Sequence, residues 1–562
     1  MKKPCLILLT VFLIVTFALD QDTGKKIDYK FRILNQQQVY EINPKDKLFQ
    51  SEQTYTLENA STENTRRILF GVHPQLQIQT IVLKGSSGET LPHKVVKTSA
   101  SDFQIGTRFE VYELETESDI VPGQILDFSV QYRMNPENVT EWPKYWGGLT
   151  VSQNASYAIW PATGNNVVFG LNYSSPFVME IRYPEGNMTC APGNRISTEK
   201  KGGWVVDTYE SRKPNIPTFS WAPYKKRERR NAKLSVEFFL YPHETLPEEM
   251  AGYLFSAVDL LSQHFGDNGT RDFRVATAGP YNSTSPNAEN KGNCIFMMDS
   301  ILREALKTPQ GKWAYLSTLF HEVFHDWNLF SLDWRGDYEE WFGEGGATFI
   351  EAWAAEMILS QDAARSVRHK RITEFIARQG FRAQTALDKA QKTSAAQRAL
   401  IYSYGALVWE QLRQKLGDKA FFAGFSDFFK NYLFQEAGLP DLLRCWKPYT
   451  KINIQEYLAP WINHNAQISL VVEKAETLAK SGQYETEVTI HVDSDQDYEI
   501  LTSLEYKTEK DGQGIMLPLR FVKKGIQTVR FVSDKAPLYV KLDPDCRVPR
   551  MTDDRLTWER GT

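Results

Sequence analysis

One pentapeptide constrains this chain more than any other stretch: His321-Glu322-Val323-Phe324-His325. On a helix, residues four apart lie about 40° from each other around the axis and roughly 6 Å apart along it. Both imidazoles can then reach one metal ion from a single face. Glu322 projects beside them, where it can address a metal-bound water instead of acting as a ligand. The preceding residues, Trp313 to Phe320, contain neither glycine nor proline and read as helix. Pro309-Gln310-Gly311 is expected to supply the break before it.

A catalytic zinc site takes three protein ligands and keeps a fourth position for water. Glu344 follows His325 after eighteen intervening residues and is the candidate third ligand. The stretch from Ala347 to Leu359 has helical apolar spacing and no proline. Glu344 is therefore expected in the first turn of a second helix, where its charge suits the helix dipole. The cofactor implied is one Zn²⁺ per chain, held by His321, His325 and Glu344, with Glu322 as general base.

The spacing HExxH-x18-E, with Trp341 three residues before the glutamate and Glu351 seven after it, resembles the gluzincin metallopeptidases. The nearest pattern is that of the aminopeptidase N-like family, whose second motif reads W-L-N-E-G-F-A-x-Y-x-E. The wording HEVFHDWN, His321 to Asn328, is similar to the related glycyl aminopeptidases. Pro286-Asn287-Ala288-Glu289-Asn290 resembles the family's G-A-M-E-N strand, keeping Glu289 and Asn290 and losing the glycine and the methionine. Tyr402-Ser403-Tyr404-Gly405-Ala406-Leu407 resembles Y-x-K-G-A-L, with Tyr404 where lysine is usual.

The resemblance implies that Tyr402 donates to the oxyanion and that Glu289, with Asn290, grips the substrate's free α-ammonium. A charge-assisted bond suits that task. Glu351 reads either as a partner orienting a ligand histidine or as a solvated glutamate. Glu339, where the family often has aspartate, is left without a role. Trp313, Trp327, Trp334, Trp341 and Trp353 read as core around the site, one or two of them lining the cleft.

At 562 residues, with 42% hydrophobic and 24% charged residues, the chain has room for three ordinary domains. A net charge of −4 gives no reason to invoke nucleic acid; the resemblance implies peptides or proteins as partners. The expected fold is multidomain α+β. Residues 24–233 alternate in short runs and read as an N-terminal β domain, which the resemblance makes saddle-shaped. Residues 234–463 are helix-dominated, as in a thermolysin-like catalytic domain. Residues 466–562 return to alternation and read as a C-terminal β-sandwich closed by the strand Leu538 to Asp545. The basic run Lys225 to Arg230 reads as a solvated connector. The length leaves no room for the large fourth domain of long family members, so an open cleft is expected.

Residues 1–19 read as a signal peptide: Lys2-Lys3, then an uncharged, largely apolar stretch to Leu19. That stretch is short for a membrane-spanning helix, so the expected location is extracytoplasmic, secreted or periplasmic, without stable membrane insertion unless the leader is retained. Beyond the leader and its Cys5, the cysteines Cys190, Cys294, Cys445 and Cys546 are scattered and form no disulfide framework by spacing. Seven glycosylation sequons occur, at Asn59, Asn138, Asn154, Asn172, Asn187, Asn268 and Asn282.

The leading expectation is a zinc aminopeptidase. The rivals are a gluzincin endopeptidase or other hydrolase that does not read the amino terminus, and a peptide-binding protein without turnover.

Overall fold

The computed structural model describes residues 31–562 apart from 47, 73–75, 99–109, 135–148, 153–154, 160–166, 169–174, 243, 246–248, 279–287, 291, 299–306, 384, 393, 466, 553–554 and 561–562. The expected leader lies outside the described residues. Among those described, no helix is long and apolar enough to cross a membrane.

The N-terminal region is β-rich. A seven-stranded sheet runs in the order Asn194–Lys201, Trp204–Asn215, Ser175–Pro184, Phe31–Asn43, Leu48–Asn59, Ile125–Met134 and Gln77–Gly85. Successive strand residues point to opposite faces, so Phe49, Ser51, Gln53, Tyr55 and Leu57 are buried while Gln50, Glu52, Thr54 and Thr56 between them are not. Phe49, Tyr55 and Leu57 join Ile68 and Phe70 from a four-stranded sheet in one core. A buried glutamine sits inside it. Gln53 Nε2 donates to the hydroxyls of Tyr40 and Tyr132 at 2.9 Å each, which satisfies its amide.

Next comes a five-stranded mixed sheet, ordered Lys225–Arg230, Ser235–Leu240, Asp272–Ala278, Cys294–Met298, Ala288–Asn290. Its three central strands are parallel and the two edges antiparallel. Lys225–Arg230 is thus an edge strand, not the connector its charge suggests. All six residues are exposed, so no apolar face betrays it. Backbone pairing with Ser235–Leu240 and the Lys226–Glu237 ion pair at 2.6 Å hold it, and its charges guard the open edge.

The middle region is helical: α1 (Glu249–Phe265), α2 (Pro309–Asn328), α3 (Gly346–Ile358), α4 (Gln361–Ala377), α5 (Gly405–Leu416) and α6 (Asp418–Tyr432). Pro309 does not break the chain before α2. It opens the helix, with Thr308 as N-cap accepting from the Gly311 N–H at 2.9 Å. Proline fits there because the first-turn N–H has no helical partner to lose. Every residue from Leu319 to Asn328 is buried, so α2 runs through the interior. Trp327, Trp341 and Trp353 are fully buried and Trp334 nearly so, as core. Trp313 is half-buried and lines a surface groove beside Tyr253 and Lys312.

Beyond residue 466 lie a three-stranded sheet (Ile468–Lys480, Gln483–Ser494, Gly525–Ser533) and a four-stranded one (Ile515–Phe521, Ile500–Lys507, Tyr539–Leu542, Thr557–Glu559). Tyr539–Leu542 is not the last strand, because Thr557–Glu559 pairs beyond it. These sheets share one apolar core with the middle helices. Polar ties reinforce the join: Gln411 Nε2 donates to the carbonyls of Leu501 (2.9 Å) and Arg547 (3.0 Å). The architecture is mixed α/β, with a β-rich N-terminal region and a helical middle.

Two sequons are already used by the fold. Asn59 and Asn268 are buried, and each side-chain amide donates to backbone, Asn59 to Ile120 O and Asn268 to Asp326 O. Asn138, Asn154, Asn172 and Asn282 lie outside the described residues.

Candidate metal centre

Helix α2 presents His321 and His325 one turn apart, with ring centroids 4.6 Å apart and ring planes at 87°. Glu344 arrives from a different element. It lies in a π-helical turn, Trp341–Gly345, that runs into α3. Its position is thus one turn earlier than a regular helical start, and such wide turns recur at functional sites. One ligand atom each from His321, His325 and Glu344 lies within 4.8 Å of the others. Glu344 Oε2 is 3.1 Å from His321 Nε2 and 3.4 Å from His325 Nε2.

The far side of each ring is already committed. His321 Nδ1 donates to Glu351 Oε1 at 2.9 Å, and His325 Nδ1 donates to Asn328 Oδ1 at 3.1 Å. Glu351 is therefore an orienting partner and not a solvated glutamate; it is almost fully buried. Arg371 from α4 holds it with Nη2 2.6 Å from each carboxylate oxygen. Arg371 also reaches Glu374 at 2.8 Å. Asn328 does double duty, since its Nδ2 donates to the carbonyls of Phe342 (3.1 Å) and Gly343 (2.8 Å). One buried amide thus ties the His325 ring to the backbone leading into Glu344.

The electrostatics favour a cation between these groups. Burial pushes the His321 imidazole down, yet the adjoining Glu344 and Glu351 carboxylates outweigh it and lift it to about 10. Burial, aided by the neighbouring His321, prevails at His325, which is lowered. Burial opposes ionisation of Glu344, but Lys392 and the two histidines hold it well below the usual carboxylate range. Glu351, buried against Arg371 and His321, is held at about 2. With both Nδ1 atoms donating rearward, two Nε2 atoms and a carboxylate oxygen face one point. That donor set is one zinc takes in catalytic sites.

Glu322 lies beside this point on α2. The backbone N–H of Asn290 donates to Glu322 Oε2 at 2.7 Å, and Asn290 Nδ2 donates to the Glu322 carbonyl at 2.5 Å. The short edge strand Ala288–Asn290 is thereby fastened to the helix that carries the histidines. The side chain of Glu289 lies outside the described residues. Tyr402 stands on a second π-helical turn, Ala399–Tyr404, which leads into α5. Its ring stacks over His321, centroids 6.1 Å apart and planes 11° from parallel. Burial first, then the neighbouring Glu344 carboxylate, raise its hydroxyl well above the ordinary value. Tyr404, where the family motif has lysine, is a core residue donating to Trp461 O at 2.8 Å.

Four residues complete the site without having been singled out in the sequence: Asn328, Arg371, Lys392 and Glu340. Lys392 Nζ lies 2.6 Å from Glu344 Oε1 and 3.1 Å from Glu340 Oε2. Glu339 is exposed, so its neighbour Glu340 is the acid that reaches the centre. A signal existed for Asn328 alone, three residues after His325 on the same helical face.

Residues 280–461 match the family described as Peptidase family M1 domain, a span that holds Glu289, all three candidate ligands, Glu322 and Tyr402. No curated protein matches the chain. With the HExxH-x18-E residues converging in space inside the matched segment, the chain carries a peptidase M1 domain, of the zinc-dependent gluzincin, aminopeptidase N-like family of metallopeptidases.

Proposed function

We propose that the chain is an extracytoplasmic zinc aminopeptidase that hydrolyses the first peptide bond of its substrates. The observation that carries this reading is the convergence of His321, His325 and Glu344 with Glu322 fixed beside them. A zinc ion held by those three ligands would polarise the scissile carbonyl and lower the pKa of a water to about 7. Glu322 takes the proton of the attacking water and passes it to the departing amine nitrogen; such general base work contributes about 10²–10⁴ in rate. The Asn290 N–H keeps that carboxylate aimed. Tyr402 donates its hydroxyl hydrogen to the carbonyl oxygen as it gains charge, and its raised pKa keeps that hydrogen in place at neutral pH. Glu289 receives the substrate's α-ammonium, with Asn290 bracing the same strand.

Residues 24–233 act as the saddle domain, 234–463 as the thermolysin-like catalytic domain and 466–562 as the β-sandwich, with the leader 1–19 directing export. The deciding measurement compares one peptide with a free and with an acetylated amino terminus. Cleavage of the free form alone is expected. Equal cleavage of both would replace the aminopeptidase with an endopeptidase, and cleavage of neither, in zinc-loaded protein, would leave a peptide-binding protein.

A further inference from the structure

Cys190 and Cys294 stand 104 residues apart in sequence, yet their sulfur atoms lie 3.5 Å apart, and both residues are fully buried. Cys190 ends the strand Met188–Cys190 of the N-terminal region; Cys294 opens the strand Cys294–Met298 of the mixed sheet. Around them are Ala222, Tyr224, Phe239, Tyr241, Ala276 and Phe296, an apolar pocket between the two regions.

The backbones on either side are fixed to each other independently of the sulfurs. The Gly193 N–H donates to Asn293 Oδ1 at 3.0 Å, and Arg274 Nη1 donates to Ala191 O at 3.2 Å and also to Gly193 O. Two chain segments are thus clamped beside each cysteine, with the thiols aimed at one another and away from water. Burial, then the hydrogen bond with Cys190, raise the Cys294 thiol well above its ordinary value, so once folded it is a poor nucleophile.

We propose that Cys190 and Cys294 are joined by a disulfide, closed during folding by exchange with a small-molecule or protein disulfide before the pocket seals. One thiolate attacks the oxidant's disulfide and releases one reduced thiol; the second thiolate attacks the mixed disulfide and releases the other. The two cysteine sulfurs lose two electrons and two protons, and two oxidant thiols form. The bond fastens the N-terminal region to the strand that pairs with Ala288–Asn290, and so to the wall that holds Glu322. It rests on the extracytoplasmic location proposed above, since such bonds persist in oxidising compartments.

The test uses the full chain exported by its host, denatured with an alkylating agent and no reductant, then digested for mass spectrometry. A peptide pair joining Cys190 to Cys294, two hydrogens lighter than the separate peptides, is expected, with Cys445 and Cys546 alkylated. Alkylation of both Cys190 and Cys294, or a different pairing, would overturn the bond. A peptidase assay on the same preparation before denaturation keeps the two readings apart: activity with Cys190 and Cys294 both free removes the disulfide and leaves the metal site standing. A thermal scan with and without reductant adds a second check. The wild-type midpoint is expected to fall by about 5 °C or more on reduction, given a loop of this length. The Cys190→Ser/Cys294→Ser double variant should show no reductant dependence. A wild-type midpoint indifferent to verified reduction of the pair would overturn the stapling role.

Discussion

The two sides of the histidine pair are built differently. Behind the rings, Glu351, Arg371 and Asn328 are drawn from three helical or near-helical segments, are largely buried, and bond one another or the backbone. In front, Glu322 leans on a three-residue edge strand, and half-buried Tyr402 rides on a π-helical turn. In the proposed function the rear fixes where a cation sits, and the front moves protons and meets substrate. From this contrast we expect metal affinity and turnover to be separable, each answering to its own set of residues.

The contrast breaks if front-side substitutions release metal. Glu322→Gln should lower kcat by about 10²–10⁴ while elemental analysis still finds one zinc per chain, because the amide oxygen can keep the bond from the Asn290 N–H. Loss of zinc from this variant would show that the two sides are not independent. Tyr402→Phe should cost about 10²–10³ in kcat with KM little changed. A raised KM at constant kcat would make Tyr402 a binding residue instead.

Rear-side variants sharpen the same division. Asn328→Ala should weaken zinc binding by about 10–100-fold, read by chelator competition on the purified protein, since it frees both the His325 ring and the backbone before Glu344. Zinc affinity equal to wild type would remove Asn328 from that role. Glu351→Gln should have the smallest effect, about 10-fold in zinc affinity, because the amide oxygen can still accept from His321 Nδ1. A loss of kcat at saturating zinc larger than that of Tyr402→Phe would contradict the assignment.

Legibility in the sequence followed physical range. The i, i+4 histidines and the alternation of the N-terminal strands could be read because one helical face, or one sheet face, repeats locally. Glu351 shares a face with Glu344 and needed only the fold to choose between its two readings. Lys392 and Arg371 carry no pattern: one comes from a loop and the other from an exposed-looking, charge-rich helix, and their roles appear only when α4 and that loop close over α3. Lys225–Arg230 could not be read as a strand because its side chains all face solvent, so pairing rests on backbone alone. The π-helical turns under Glu344 and Tyr402 were also invisible, since one extra residue per turn leaves no mark in composition.

Those two turns touch where Gly345 meets Gly405. A β-carbon on Gly345 would come within 3.0 Å of Ile401 O and of Trp341 Cδ1, and one on Gly405 within 2.9 Å of Trp341 Cδ1. Trp341 is itself clamped, stacked on Trp409 at 4.3 Å and donating to Gly405 O at 3.1 Å. The separation between the Glu344 and Tyr402 turns is therefore gauged by two absent methyl groups and an indole spacer. Retuning this centre by design would begin at that contact of bare backbone, where a single added carbon would press on both turns at once.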